Sequence, residues 1–399
     1  MIFKVVKDTK AIKPPNKKTQ NKEKRDNSKD ENDKILNKKR KKSKKEKSND
    51  SINNINEKQT NLNDPRNIKN YLKLTDDSHS FFSFNNTFCV FNSIDNILYL
   101  VYSNKLSIIS YNLFEQKKMI EIKGASTYNY FITNLIHHLD IENRRDLLMS
   151  ITSWGSNIKI WNIENWECLC SINKAYYNGI LYSACFLDFY NEIYIITSNN
   201  HKSYYDYDDF SGPIKVYDLK GNEFLELNDS KECTFFIDIY YDNNAKKNYI
   251  ITCNKSCVKS YDFLENKLYH KYSNNGHFKS DYHYCCEINK NNQLIEASTK
   301  GFIRIWDFHS GKLKQKIQLN KRCKLFCLCL WDDNHIFVGC EDSKIKLVDL
   351  KTGKVVNNLE GHYKYVLSIK KIIHPRYGEC LISQGYGDDQ IQLNIKSDD

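Results

Sequence analysis

Ile303-Arg304-Ile305-Trp306-Asp307 is a short strand in outline: apolar residues alternate with an exposed type, and an aromatic-acid pair closes the run. The same outline returns along the chain, as Ile108-Ile109-Ser110-Tyr111-Asn112, Ile158-Lys159-Ile160-Trp161-Asn162, Ile214-Lys215-Val216-Tyr217-Asp218, Val258-Lys259-Ser260-Tyr261-Asp262 and Ile345-Lys346-Leu347-Val348-Asp349. A degenerate copy follows at Ile391-Gln392-Leu393-Asn394-Ile395. Counted between the leading apolar residues at 108, 158, 214, 258, 303, 345 and 391, the steps are 50, 56, 44, 45, 42 and 46 residues. A period near 40–45 residues marks an array of small repeated sheets rather than one continuous core.

Around each copy the sequence supplies the rest of a sheet. His309-Ser310-Gly311-Lys312 and Lys351-Thr352-Gly353-Lys354 put glycine where a tight hairpin needs positive φ. A further strand is expected after each hairpin, over Leu313 to Leu319 and Val355 to Leu359. Two more are expected ahead of the motif strand, as at Leu325 to Leu330 and His335 to Cys340. On these residues the chain resembles the WD-repeat β-propeller family. The resemblance implies an all-β fold of seven four-stranded blades, the aromatic-acid pair ending the third strand of each.

Little follows the last motif copy, so its blade lacks a fourth strand. Tyr71-Leu72-Lys73-Leu74-Thr75 alternates like a strand with no repeat of its own. It is expected to pair with the last blade and close the ring, which removes two exposed sheet edges.

Charge divides the chain in the same place. Residues 1–66 carry 21 Lys+Arg and 10 Asp+Glu, a net of +11, which is the charge of the whole chain; the remainder holds 39 of each sign. Before Tyr71 the sole aromatic is Phe3, and all 14 cysteines lie at Cys89 or later. A segment so poor in large apolar groups cannot offset its ordering entropy. Residues 1–66 are therefore expected to be a disordered basic tail, and 67–399 one closed domain.

The cysteines form no CxxC pair and fall mostly in strand-like runs, so they read as small buried hydrophobes rather than zinc ligands, in a reducing intracellular compartment. No apolar run approaches the roughly 18 residues of a membrane helix, and a soluble chain with no membrane partner is expected. Phosphate-loop, metal-ligand and nucleophile-elbow motifs are all missing. No catalytic residue, cofactor or metal ligand is assigned.

In the resembled family a blade is often laced by a Gly-His ahead of its first strand, an Asp before its third, a Ser or Thr on its second and the Trp. Here repeat five offers Gly276-His277 and Trp306, with Lys300 in the Asp position; repeat seven offers Gly361-His362, Asp388 and Ser383, with Asn394 in the Trp position; repeat six offers Asp342. Trp161, Trp306, His277, His362, Asp342 and Asp388 are read as structural. No blade holds the whole set, so apolar packing is expected to outweigh polar networks.

The widest step contains an insertion with Tyr204, Tyr205, Tyr207, Asp208, Asp209 and Phe210. By the resemblance it emerges on the face that most often receives partners; its rings supply contact area and its acids favour a basic partner. The plain alternative is a solvated insertion. The densest charge run, Lys38, Lys39, Arg40, Lys41, Lys42, Lys44 and Lys45, reads as an import signal or sequence-blind nucleic-acid patch, or merely as a Lys/Asn-biased tail. The leading expectation is a non-catalytic protein-interaction scaffold, monomeric by itself. The alternatives are a nuclear RNA-processing or ribosome-assembly factor, and a ubiquitin-ligase substrate receptor.

Overall fold

A computed structural model describes residues 65–74, 88–104, 106–126, 131–152, 155–176, 180–198, 212–227, 232–273, 281–319, 323–388 and 391–396. The motif copies form the third strands of seven four-stranded antiparallel sheets: Ser107–Asn112, Asn157–Asn162, Ile214–Asp218, Val258–Asp262, Phe302–Asp307, Ile345–Asp349 and Gln392–Lys396. Their register is common to all seven. The third motif residue (Ser110, Ile160, Val216, Ser260, Ile305, Leu347, Leu393) pairs with a second-strand residue that in turn pairs with Cys89, Ile136, Cys185, Asp238, Glu287, Cys329 or Lys370 on the first strand. One sequence pattern thus builds one blade seven times.

Burial is greatest in the second and third strands and least in the fourth. Lys117–Ile122, the outermost strand of blade one, is exposed along nearly its whole length, whereas Val258–Asp262 in blade four is buried throughout. The hairpins between third and fourth strands turn at Gly311 (φ 65°) and Gly353 (φ 69°), as the glycine spacing requires.

The apolar cores lie between blades. Each of seven clusters draws on two neighbouring sheets, so a blade's two faces serve two different cores. This differs from one core per blade, the arrangement that repeat length alone suggests. Seven blades in a row would make six such interfaces; the seventh packs Ile372, Cys380, Ile382 and Leu393 of blade seven against Phe88, Leu100 and Ile109 of blade one. The array is a closed ring, a seven-bladed β-propeller.

The ring is fastened by an early segment. Ile68–Lys73 runs antiparallel to Gln392–Lys396, with Leu72 opposite Leu393, and is the fourth strand of blade seven. It begins three residues ahead of the expected Tyr71. Ile68 is fully buried with Val366, Leu381 and Leu359, and Asn357 Nδ2 donates to the carbonyls of Arg66 and Ile68, both at 3.1 Å. Twelve of the fourteen cysteines are buried and all are free thiols.

Candidate interaction face

Second-to-third strand connections and the approaches to the first strands share one end of the blades. In blade three the insertion leaves from Thr197 and Ser198 and returns at Pro213. Ser198 N donates to Ser183 O (2.8 Å), and Tyr176 Oη bonds Thr197 Oγ1 (2.9 Å) and Pro213 O (2.8 Å). Both roots are therefore clamped beside the start of the first strand, where Tyr182 stands. Tyr204, Tyr205, Tyr207, Asp208, Asp209 and Phe210 themselves lie outside the described residues, as do Lys38–Lys47 and His277.

From Tyr182 a file of aromatic side chains runs across five blades at this end. Ring centroids are 5.3 Å apart for Tyr182–Phe235, 4.9 Å for Phe235–Tyr284, 5.7 Å for Tyr284–Phe326, 5.4 Å for Phe326–Tyr365 and 5.2 Å for Tyr365–Tyr386. Tyr282 joins it 6.0 Å from Phe235. All but the buried Phe326 are half-buried. Beyond the end of the file Tyr363 is 76% exposed, and Lys364 Nζ lies 5.6 Å over its ring and 5.5 Å over Tyr386. Edge-on and tilted ring contacts of this kind hold the file rigid before any partner arrives.

The turns beneath the file are fixed by buried polar networks, and here the expectation of incomplete lacing is corrected. In blade seven Asn394 Nδ2 donates to Ser383 Oγ (3.0 Å), Ser383 bonds His362 Nε2 (2.8 Å), and His362 Nδ1 bonds Asp388 Oδ2 (2.5 Å). An amide N–H does what an indole N–H would do. Asp388 also accepts Tyr363 N (3.0 Å) and Gly385 N (3.2 Å). A Cβ on Gly385 would stand 2.5 Å from Asp388 Oδ2, so glycine is required there.

Blade five reaches the same end differently. Lys300 occupies the Asp position, but Asp281, from the approach to the first strand, accepts its backbone N–H (3.0 Å). Arg304 Nη2 donates to Asp281 Oδ2 (2.6 Å) and Nη1 to Glu296 Oε1 (3.2 Å), while Glu296 also binds His283 and Trp306 Nε1. All five side chains are buried. Trp161 Nε1 donates to Ser150 Oγ (2.9 Å) in blade two, and Asp342 in blade six pairs with Lys346 (2.6 Å) rather than with a histidine.

At the opposite end the first-to-second strand turns are compact and polar. Asp140 accepts Arg145 Nε (2.7 Å) and Asn143, and Lys247 pairs with Asp262 (2.7 Å). Among the described residues no helix is long and apolar enough to cross a membrane.

No protein-family model matches the chain. It is 27% identical over 92 residues to autophagy-related protein 16 of Arabidopsis thaliana, which is 23% of this chain and 17% of that protein. It is 31% identical over 74 residues to the U3 small nucleolar RNA-associated protein 21 homolog of Schizosaccharomyces pombe, 18% of this chain and 8% of that one. The matches therefore span well under a quarter of either relative. The crystal structure of Chaetomium thermophilum Raptor superposes with a TM-score of 0.61 at 15% identity, over 84% of this chain and 29% of that chain, a likeness of fold alone. Both sequence relatives are WD-repeat proteins. With its seven-fold motif and closed ring, the chain is a seven-bladed β-propeller whose repeats fit the WD-repeat pattern of these relatives.

Proposed function

We propose that this chain is a non-catalytic scaffold that brings proteins together, and that it engages a partner through the end of the ring bearing the aromatic file. The observation that carries the proposal is the file itself: rings in contact from blade three to blade seven, half-buried except for Phe326, beside the roots of the 199–211 insertion. Rigid aromatic area with polar atoms at its rim binds protein at low entropic cost. The tilted rings cover one another's faces, which favours a polypeptide over stacked bases.

The insertion whose roots lie beside this surface carries Tyr204, Tyr205, Tyr207 and Phe210, residue types that supply contact area, and Asp208 and Asp209, which suit a basic partner segment. A second reading, a nuclear RNA-processing role, is supported by the basic Lys38–Lys47 run and by the similarity to the U3 small nucleolar RNA-associated protein 21 homolog of Schizosaccharomyces pombe. Recovery of associated proteins by the full chain tests the first reading. Substituting Tyr182, Tyr282, Tyr365 and Tyr386 with Ser, or the four insertion aromatics with Ser, is expected to abolish recovery. Substituting Arg144 and Lys246 at the other end is expected to leave it intact. Unchanged recovery with both aromatic sets removed, in folded protein, would refute the proposal.

A further inference from the structure

Blade six brings Cys323 to Cys340 and Asp342, 17 and 19 positions further along the chain: the two sulfurs and a carboxylate oxygen of Asp342 are all within 4.8 Å of one another. Cys323 stands two residues ahead of the first strand, Leu325–Leu330. Cys340 ends the second strand, His335–Cys340, and pairs with Leu325; Asp342 follows in the turn. The two cysteines are thus diagonal neighbours across an antiparallel pair, a relation that separates backbones by about 7–8 Å. A disulfide spans about 5.5–6 Å between Cα atoms, so that relation is too wide for one. It suits a bridging ion, since zinc holds each thiolate at about 2.3 Å.

We propose that Cys323, Cys340 and Asp342 bind one thiophilic divalent cation of the zinc class, with water as the fourth ligand. Both sulfurs are buried and the Asp342 side chain is 39% exposed, so the cluster has a closed soft half and a side open to solvent. Three protein ligands and an open position make a recognised zinc arrangement. Lys346 now supplies the positive charge: its Nζ lies 2.6 Å from Asp342 and 3.8 Å from Cys323 Sγ. Its long stem lets the ammonium swing to solvent when a metal enters. The ion would tie the approach to blade six's first strand to the turn after its second, three residues from Phe326. This inference does not depend on the scaffold reading.

Titration of the full reduced chain with cobalt(II), followed by zinc(II), tests it. One equivalent of cobalt is expected to give thiolate-to-cobalt charge-transfer absorption and the visible bands of tetrahedral cobalt, both discharged by one equivalent of zinc. Cys323→Ser and Cys340→Ser should lose the bands, and Asp342→Asn, which removes an anionic ligand, should weaken binding by at least the about 10- to 100-fold that losing a supporting group costs. Lys346→Met, which leaves every donor in place, should bind more tightly and keeps the test decisive where a cysteine variant folds poorly. Absence of the bands from both the native and Lys346→Met chains, or bands of equal size in folded Cys323→Ser, would overturn the proposal.

Discussion

At the scale of single residues, chemistry and position part company most clearly at Arg304. It fills the variable place of its motif, where Lys159, Lys215, Lys259 and Lys346 stand in other copies, and so reads as one more surface cation. In the fold it is 1% exposed between Asp281 and Glu296. Its partners lie 23 and 8 residues away, a separation no local pattern reports. The legible clue was the other member: Glu296, a carboxylate inside Leu294-Ile295-Glu296-Ala297-Ser298, has to be paired to be buried there. Arg304→Met should strand two buried carboxylates and cost about 3–5 kcal/mol, since removing one partner of a buried ion pair leaves uncompensated charge. Denaturant unfolding measures this, and a loss under about 1 kcal/mol, the range of an exposed pair, would contradict the network's role. Asn394 teaches the complementary lesson. A side chain that breaks a motif by identity can keep it by function, because the serine needs only an N–H donor.

At the scale of strands, third strands were readable because each repeats one apolar-aromatic-acid pattern, and the hairpins of blades five and six because they turn at Gly311 and Gly353; those of blades one, two and four turn at Gln116, Trp166 and Asn266, which leave no such signal. The closing strand was readable only in part. Lys69 and Asn70 interrupt the alternation after Ile68, so the first half of Ile68–Lys73 looked like linker. A strand paired along one edge tolerates such polar positions, and its true anchor, Ile68, is identified by tertiary packing alone. Ile68→Ala should therefore destabilise the domain by about 2–5 kcal/mol, as for other buried large-to-small changes. A stability series with Ile120→Ala, on an exposed outer strand, supplies the contrast. Equal effects would mean that the closing strand is not part of the core.

At the scale of the whole molecule, the common register assembles a ring of first-strand residues that no single repeat encodes. Asp238, Glu287 and Lys370, from blades four, five and seven, hold the same register position, and the Lys370 charge opposes the rise at both carboxyls. Desolvation by the surrounding strands raises the half-buried Glu287 to about 7, countered by the Leu330 N–H (2.8 Å) and by Lys370, and reinforced by Asp238; the same effect raises Asp238, although its side chain is open to solvent. The sign follows directly. A carboxyl whose folded pKa exceeds its unfolded value binds more protons in the native state, so its stabilising contribution is present at acid pH and is lost as pH rises through 7. Between pH 5 and 8 the native chain should lose stability relative to Glu287→Gln; parallel stability curves for the two would contradict this. The thiol–carboxylate cluster of blade six was equally invisible in sequence, since a gap of seventeen residues between Cys323 and Cys340 fits no ligand motif until the blade folds.

Ring closure by the early strand underlies the shared face, the common register and the central channel alike. We propose that residues 1–66 contribute little to that closure beyond the Arg66 carbonyl that accepts from Asn357. Thermal midpoints of the full chain, of a chain lacking 1–66 and of one lacking 1–76 test this directly. The first two should coincide, and the third should fall by several degrees, because two sheet edges and the Ile68 site are then exposed. Three coincident midpoints would contradict the closed ring.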